Sequence, residues 1–540
     1  MRWRRSLSEN RARDWMLFLG LIAVIWANLP YLVGYLAESE GLTFGGFFIY
    51  PQDGFSYLAK MRQGAEGSWL FHLPFSTEPH EGALLYFPYL LAGKVSRFFN
   101  LPLVAAYHLT RIVATVALLA GAARFTAQFA TKPRWRLISW GMLVFGGGAD
   151  WLISMISPSY ISFSGTAPEA FLFSVLWGPP HLQIAMALLI WLLLGALWLF
   201  AEIANKEQSH RSWLAIAVMA LGELAMVLAL PAYGLILSVV LVTYLLARFF
   251  LWRGRLVVEV VAVGLIGLPS IFYVTHLFWV LRSNPAMNAW ESQYPFGATP
   301  WFNLLLSMSM YLTCGLLGLI RGQWWQNKAL LLVVSWIAAL PIIVSLPLSV
   351  QQRMIGGVQI VLALAAGYWL DAHLLPWLKD VPWRRIILGP AMAMGALILI
   401  SYPVLFGFGA IGFVTSLPEE LFLSNDEMAT LEWLAKQEDG RVVLSAELTG
   451  NHVPAFSSAT PVLGHPIETL AVEEKRTDVA HFFAVETSPA ERQAILTRYG
   501  VDFVWWGPSE RALGANSPGT LPDFREAFRH GDIQIWSAAR

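Results

Sequence analysis

Eleven stretches of this chain are apolar enough to cross a lipid bilayer: roughly 15–36, 103–130, 137–156, 181–203, 212–229, 231–250, 256–280, 302–320, 328–346, 354–375 and 385–408. A crossing needs about 20 mostly apolar residues, because the hydrocarbon core is about 30 Å thick and a helix rises about 1.5 Å per residue. Composition agrees, with 56% hydrophobic residues, 13% charged residues and a mean hydropathy of +0.54, well outside the range of soluble domains. The expected fold class is therefore an α-helical polytopic membrane protein of about eleven spans. Lysine plus arginine (36) balance aspartate plus glutamate (36), so bulk charge gives no reason to expect a nucleic-acid partner. A lone cysteine, Cys314, lies inside an apolar run, which leaves no internal disulfide and reads as a small buried residue. The apolar run after MRWRRSLSENRARD lacks a small-residue cleavage site and reads as a retained anchor.

Orientation follows from the basic clusters MRWRR, KPRWR (132–136), NKEQSHR (205–211), LWRGR (251–255), RGQWWQNK (321–328) and WLKDVPWRR (377–385), which the positive-inside rule puts on the cytoplasmic side. The expected location is the plasma (inner) membrane. The piece 84–100 is short and carries Pro88, Lys94 and Arg97; it reads as a helix lying on the outer surface, and the stretch GFSYLAKMRQGAEGSW before it has the same amphipathic mix. A full crossing by 84–100 would reverse the early topology. Two regions are expected: a transmembrane part, 1–408, whose outer loop 37–102 holds the surface helices, and an extracytoplasmic α/β domain, 409–540. In the latter the β-like runs RVVLS, VDFVWW and IQIWS alternate with helical patterns, and Ser488 and Glu491 have capping-box spacing.

Soluble chemistry motifs are missing: there is no phosphate-cradling GxxxxGK[ST], nucleophile elbow, HExxH or CxxC pair. FGGGADW (145–151) sits at the end of a span and reads as close helix packing. The polar residues instead collect on the expected outer face. They include Asp53 and Lys60 in the first loop, Glu169 and His181 in the second, Tyr294 in the 281–301 loop, and Arg353 at the mouth of a span. A carboxylate with imidazoles and arginines at one interface suits transfer chemistry on an anionic lipid head group.

This order of parts, with the first-loop motif PQDGFSYLAKM and a tail containing SAELTGNHVPAFSSATPVLGHPIET and YGVDFVWWGPSER, resembles the GT-C superfamily of polyprenyl-phosphate-sugar-dependent membrane glycosyltransferases, and the tail is similar to that of bacterial members. The resemblance implies a polyprenyl-phosphate-linked sugar donor, a glycan, lipid or protein acceptor, membrane lipids as surroundings, and inversion by one direct displacement. Many members pair two acidic residues in the first loop, whereas Asp53 has no acidic neighbour; a divalent cation, Mg2+ or Mn2+, is the cofactor the family would suggest.

A hydroxyl acceptor is a poor nucleophile until its proton is removed, and a positioned carboxylate can take it as the anomeric bond breaks. Asp53 is the expected base. Arg353 is the expected partner of the leaving phosphate, with His181 and Lys60 as secondary cations and Glu169 and Tyr294 as further substrate contacts. Each has a plainer reading: Asp53 as a helix cap, Glu169 as a first-turn acid, His181 as an interfacial helix start, Arg353 as a snorkelling side chain. Arg111 and Glu223, inside spans, read as structural ion-pair residues. In the tail, Glu447, His452, His465 and Glu468 read as loop polar residues without metal-ligand spacing. The rival class is a multi-pass lipid or glycan transporter or flippase, which calls for polar groups at the bilayer midplane and an inverted repeat; neither is visible.

Overall fold

The structure is a computed structural model and describes residues 2–157, 159–160, 162–205, 210–253, 255–293, 301–346, 351–521 and 524–538. It is mostly helical. Among the described residues, eight helices have the length and apolar character to cross a membrane: Glu9–Leu36, Leu103–Phe129, Pro180–Ala204, His210–Ala229, Pro231–Trp252, Val257–Ser283, Arg353–Asp380 and Leu388–Thr415. A ninth exists if Trp301–Ser307 and Ser309–Gly322, bent by 71°, form one span.

The sequence count of eleven differs from this at identifiable places. The 137–156 stretch is no single helix, because Pro133–Phe145 ends at Gly146 and only a short turn, Trp151–Ile156, follows. The carbonyls freed at the break are taken by the amide of Gln359, which donates to Met142 O and Gly146 O, while Gly147 N donates to Leu399 O and Ala149 N to Ser307 O. Irregular backbone in a membrane protein persists where such partners exist. The 328–346 stretch yields a helix of 14 residues, Leu330–Ile343.

The chain separates into two compact units. One comprises Met1–Leu29, Arg111–Thr275 and Phe296–Gly409; the other comprises Pro30–Thr110, His276–Pro295 and Ala410–Arg540. In the first, the ion-pair reading of Glu223 gives way to other contacts. Arg111 donates to Asn28 and to the carbonyl of Leu176, and Glu223 lies against Gly267 with no ion pair among the described residues.

In the second unit the C-terminal residues are grouped with Pro30–Thr110 and His276–Pro295. Strand β1 (Leu42–Phe44) pairs antiparallel with β2 (Phe422–Ser424), Phe44 opposite Phe422. A five-stranded sheet follows, in the order β4-β3-β5-β7-β6, with β3 (Val442–Leu444), β4 (Thr460–Pro461), β5 (Phe503–Trp506), β6 (Phe524–His530) and β7 (Ile533–Ala538). Strands β4, β3 and β5 run parallel; β7 and β6 are antiparallel. The three β-like runs of the sequence are β3, β5 and β7, and the Ser488–Glu491 capping box is formed.

Helix Pro51–Ala65 lies between helix Phe87–Phe99 on one side and helix Glu447–Phe456 on the other, and no residue of Pro51–Ala65 is fully exposed. It is thus an inner layer rather than a surface helix. Small residues permit the close crossing: a Cβ on Gly93 would stand 1.8 Å from Met61 O, and one on Gly64 2.0 Å from Leu90 O. Tyr57 and Tyr89 stack beside it at 4.4 Å and 4°. Gly93→Ala should therefore lower stability by roughly 1–3 kcal/mol through overpacking. Gly412→Ala, whose Cβ would meet open space, should not; thermal unfolding of the purified protein reads both, and an unshifted Gly93→Ala would refute so close a crossing.

Candidate active site

Helix Pro51–Ala65 starts at Pro51, after Tyr50 in a left-handed conformation (φ 47°). Asp53 is therefore the third helical residue, not the cap, and its carboxylate turns to a different partner. Oδ1 lies 3.0 Å from Nε2 of His465, and the Asp53 side chain is 43% exposed while that of His465 is buried. Asp53, Ser56 and Lys60, spaced i, i+3 and i+7, share one helix face. That face meets the 464–469 loop, which presents His465 and Glu468.

The imidazole's proton is placed by its other nitrogen. Nδ1 of His465 accepts from the amides of Ile467 (3.2 Å) and Glu468 (3.3 Å). An acceptor Nδ1 puts the proton of the neutral ring on Nε2, so His465 donates to Asp53 and fixes the orientation of that carboxylate.

Two turns along the helix from Asp53, Lys60 is fully buried and its ammonium lies 2.7 Å from Glu468 Oε1. Ser56 Oγ donates to the same oxygen at 2.8 Å. The ammonium also lies 4.1 Å from the centroid of the Tyr86 ring, with Tyr57 and Phe71 nearby. Water is excluded, so the carboxylate and the aromatic faces together replace the ammonium's hydration. Glu468 Oε2 is buried and finds no hydrogen-bond partner among the described residues.

Neighbouring segments brace the loop. Gln293 donates to Ile467 O and Thr469 O, each at 3.0 Å, and accepts from Ala471 N at 3.1 Å. Phe75 sits 5.7 Å from the His465 ring. Phe75 belongs to a segment tied down by Glu78, whose carboxylate meets the buried Lys475 at 2.8 Å and accepts from Ser76 at 2.6 Å. Burial alone would push the Glu78 carboxyl up; the hydrogen bonds from Lys475 and Ser76 together outweigh it and hold it below the ordinary glutamate range. Burial pushes the Lys475 ammonium down, more than Glu78 restores.

From the other side, helix Glu447–Phe456 brings Asn451 to Gln52 O at 3.4 Å and His452 edge-on to Phe55 at 4.4 Å. His452 is held by Glu427 at 2.6 Å. Gly450 and Leu463 touch through backbone, where a Cβ on Gly450 would stand 1.8 Å from Leu463 O. The segments after β3 and β4 thus both reach the Asp53 helix. In open α/β sheets the carboxyl ends of parallel strands are where ligands bind.

The remaining expected site residues fall elsewhere. Glu169 and Arg353 are in the other unit and pair with each other at 2.9 Å, Glu169 buried and the Arg353 fork partly open. His181 is in the first turn of helix Pro180–Ala204 and is buried. Tyr294 lies outside the described residues. Lys60 is engaged by Glu468. His465 and Glu468, read from sequence as loop residues, are the additions, and no local sequence pattern signals their contacts with the Asp53 helix. Among the described residues, no three His, Cys, Asp or Glu side chains converge as a metal set, and His465 Nε2 is a donor. The residues around Asp53 do not fit a divalent cation of their own.

The sequence matches no family model and no curated protein. The fold does find relatives among solved structures. An oligosaccharyltransferase of Archaeoglobus fulgidus, solved with Zn and sulfate, matches with a TM-score of 0.54 at 10% identity, over 97% of this chain and 73% of that one. The same organism's AglB, in complex with an inhibitory peptide and a dolichol-phosphate, matches at 0.51, 10% identity, over 95% and 72%. Arabinofuranosyltransferase AftD from mycobacteria matches at 0.50 and 14% identity, over 97% of this chain but only 41% of that longer protein. The chain thus shares its fold with these solved transferases.

The buried seam makes two predictions. Lys60→Met leaves Glu468 buried without its cation and should cost about 3–5 kcal/mol. Adding Glu468→Gln should recover much of that loss, in chemical unfolding of the detergent-solubilised protein; simple additivity would show that the two are uncoupled. The lowered Glu78 group contributes stability that is present above the ordinary glutamate pKa of about 4.3 and is lost as pH falls through its folded value. Glu78→Gln should lower the unfolding temperature at neutral pH and leave less to lose on acidification.

Proposed function

We propose that this protein transfers a sugar from a polyprenyl-phosphate carrier to an acceptor hydroxyl at the outer face of the plasma (inner) membrane, with Asp53 as the general base. The observation that carries the reading is the Asp53–His465 pair: a half-exposed carboxylate, oriented by a buried imidazole, in a chain of GT-C fold. The dolichol-phosphate held by the A. fulgidus enzyme supports a carrier of that class.

As the acceptor oxygen attacks the anomeric carbon, its proton passes to Asp53, the carbon–oxygen bond to phosphate breaks, and the polyprenyl phosphate leaves with the electron pair. Attack opposite the leaving group inverts the anomeric centre. His465, whose Nδ1 is committed to two backbone amides, donates to Asp53 before and during this transfer and is not the proton's destination. Asp53 thus passes its proton on to water. Separately, within the other unit, Arg353, whose fork pairs with Glu169, is proposed as a phosphate-binding cation. No step is routed through a metal ion. The acceptor class is a glycan, lipid or protein, and residues 409–540 are assigned to the extracytoplasmic side.

The test is transfer from a panel of polyprenyl-phosphate-linked hexoses and pentoses by the reconstituted protein. Asp53→Asn should fold, keep donor binding and lose about a hundred- to ten-thousandfold in turnover, the usual share of general base catalysis. Full turnover in that variant would remove Asp53 from the mechanism. Carrier movement across the bilayer without sugar transfer would instead establish the transporter class.

A further inference from the structure

We infer that a crevice beside strand β1 is a binding site for one hydrocarbon chain of a lipid whose head group bears an ammonium. The crevice has a volume of about 390 Å³, within the range of about 300–1,000 Å³ over which proteins hold small ligands. Its walls include Tyr35, Phe44, Val104, Leu423, Met428 and Phe456, and the single carboxylate on them is that of Glu38. An apolar cavity of this kind holds water poorly and takes apolar molecules. One polar group at the edge then decides which end of an amphiphile faces out.

The place of the walls in the chain names the tail. Tyr35 lies in the last turn of helix Glu9–Leu36 and Val104 in the first turn of helix Leu103–Phe129, two of the helices long and apolar enough to cross a bilayer. The crevice therefore stands where both reach the end of their apolar length, the depth at which lipid chains give way to head groups. Its far wall is the β1–β2 pair, closed by Gly45 N donating to Leu421 O at 2.7 Å. Charge names the head. Glu38 is exposed, accepts from the amide of Phe44 at 3.1 Å and forms no ion pair among the described residues. No lysine or arginine occurs within 37–59 or 410–435, so neither of these lining segments offsets that carboxylate. An ammonium is attracted to such a mouth and a phosphate monoester is repelled, which separates this site from one for the polyprenyl phosphate.

The inference does not rest on the transferase reading. Its test uses the full chain in phosphatidylglycerol vesicles with a trace of phosphatidylethanolamine that carries a photoactivatable diazirine at the end of one acyl chain. After irradiation and digestion, peptides containing Tyr35–Phe44 or Val104 should carry the label severalfold above the peptide containing Leu214, Val218 and Leu221, an exposed apolar face that reports ordinary bilayer contact. Equal labelling of all three would overturn the proposal. Unlabelled phosphatidylethanolamine should displace the probe, and an equal amount of polyprenyl phosphate should not; equal displacement by both would overturn the ammonium assignment, and displacement by neither would overturn the site. Ala105 lines the crevice and is exposed, so the indole of Ala105→Trp fills the space without entering the core. That variant should lose the excess label at the crevice and keep the label at 214–221, and Glu38→Gln should lose the preference for phosphatidylethanolamine. Unchanged labelling in Ala105→Trp would place the probe elsewhere and sink the proposal, whereas an unchanged preference in Glu38→Gln would remove the carboxylate from recognition. Sugar transfer enters none of these measurements, so their failure is distinct from a failure of the Asp53→Asn assay.

Discussion

The fully buried ammonium of Lys60 is the constraint on which the Asp53 region depends. A lone buried cation of that kind is strongly unfavourable, so the helix Pro51–Ala65 is stable in its place only if Glu468 arrives opposite it. The same loop that delivers Glu468 delivers His465, and the amide of Glu468 is one of the two donors that fix the imidazole. Charge neutralisation and orientation of the candidate base are therefore one structural event. A chain that failed to close the ion pair would also lose the His465 contact to Asp53.

This coupling gives the C-terminal residues a role different from that of an appended domain. Their sheet follows the logic of open α/β folds, with loops from the carboxyl ends of β3 and β4 reaching the helix that bears Asp53. The apolar contacts agree: Phe47, Phe55 and Met61 from the first loop share one core with Val443, Val453 and Trp505 from the tail.

Much of the architecture was legible from residues alone because bilayer crossing leaves a strong, local signal. The long apolar helices, the three β-runs and the Ser488–Glu491 cap follow from patterns confined to a few neighbouring residues. The span at 137–156 misled because hydropathy counts apolar residues without seeing that Gly146, Gly147 and Gly148 end a helix when Gln359 is there to take the carbonyls. Asp53 stood out in sequence as a carboxylate beside an aromatic-rich helix. His465 did not, since its partner is 412 residues away and no local pattern encodes a contact of that separation. Lys60 was visible as a charge, but only tertiary contacts reveal that Glu468 occupies it. The cap reading of Asp53 failed for a related reason: Pro51 starts the helix three residues earlier than a cap at Asp53 would.

The pairing of β1 with β2 joins Leu42–Phe44 to residues about 380 positions further along. During synthesis, the N-terminal partner leaves the ribosome early and waits while every intervening span is threaded into the bilayer. The carboxylate thus remains unguided through almost the whole of translation, and a nascent chain interrupted before residue 468 holds a stranded lysine instead of a finished centre. Assembly order itself therefore keeps an incomplete polypeptide from acquiring the Asp53–His465 geometry.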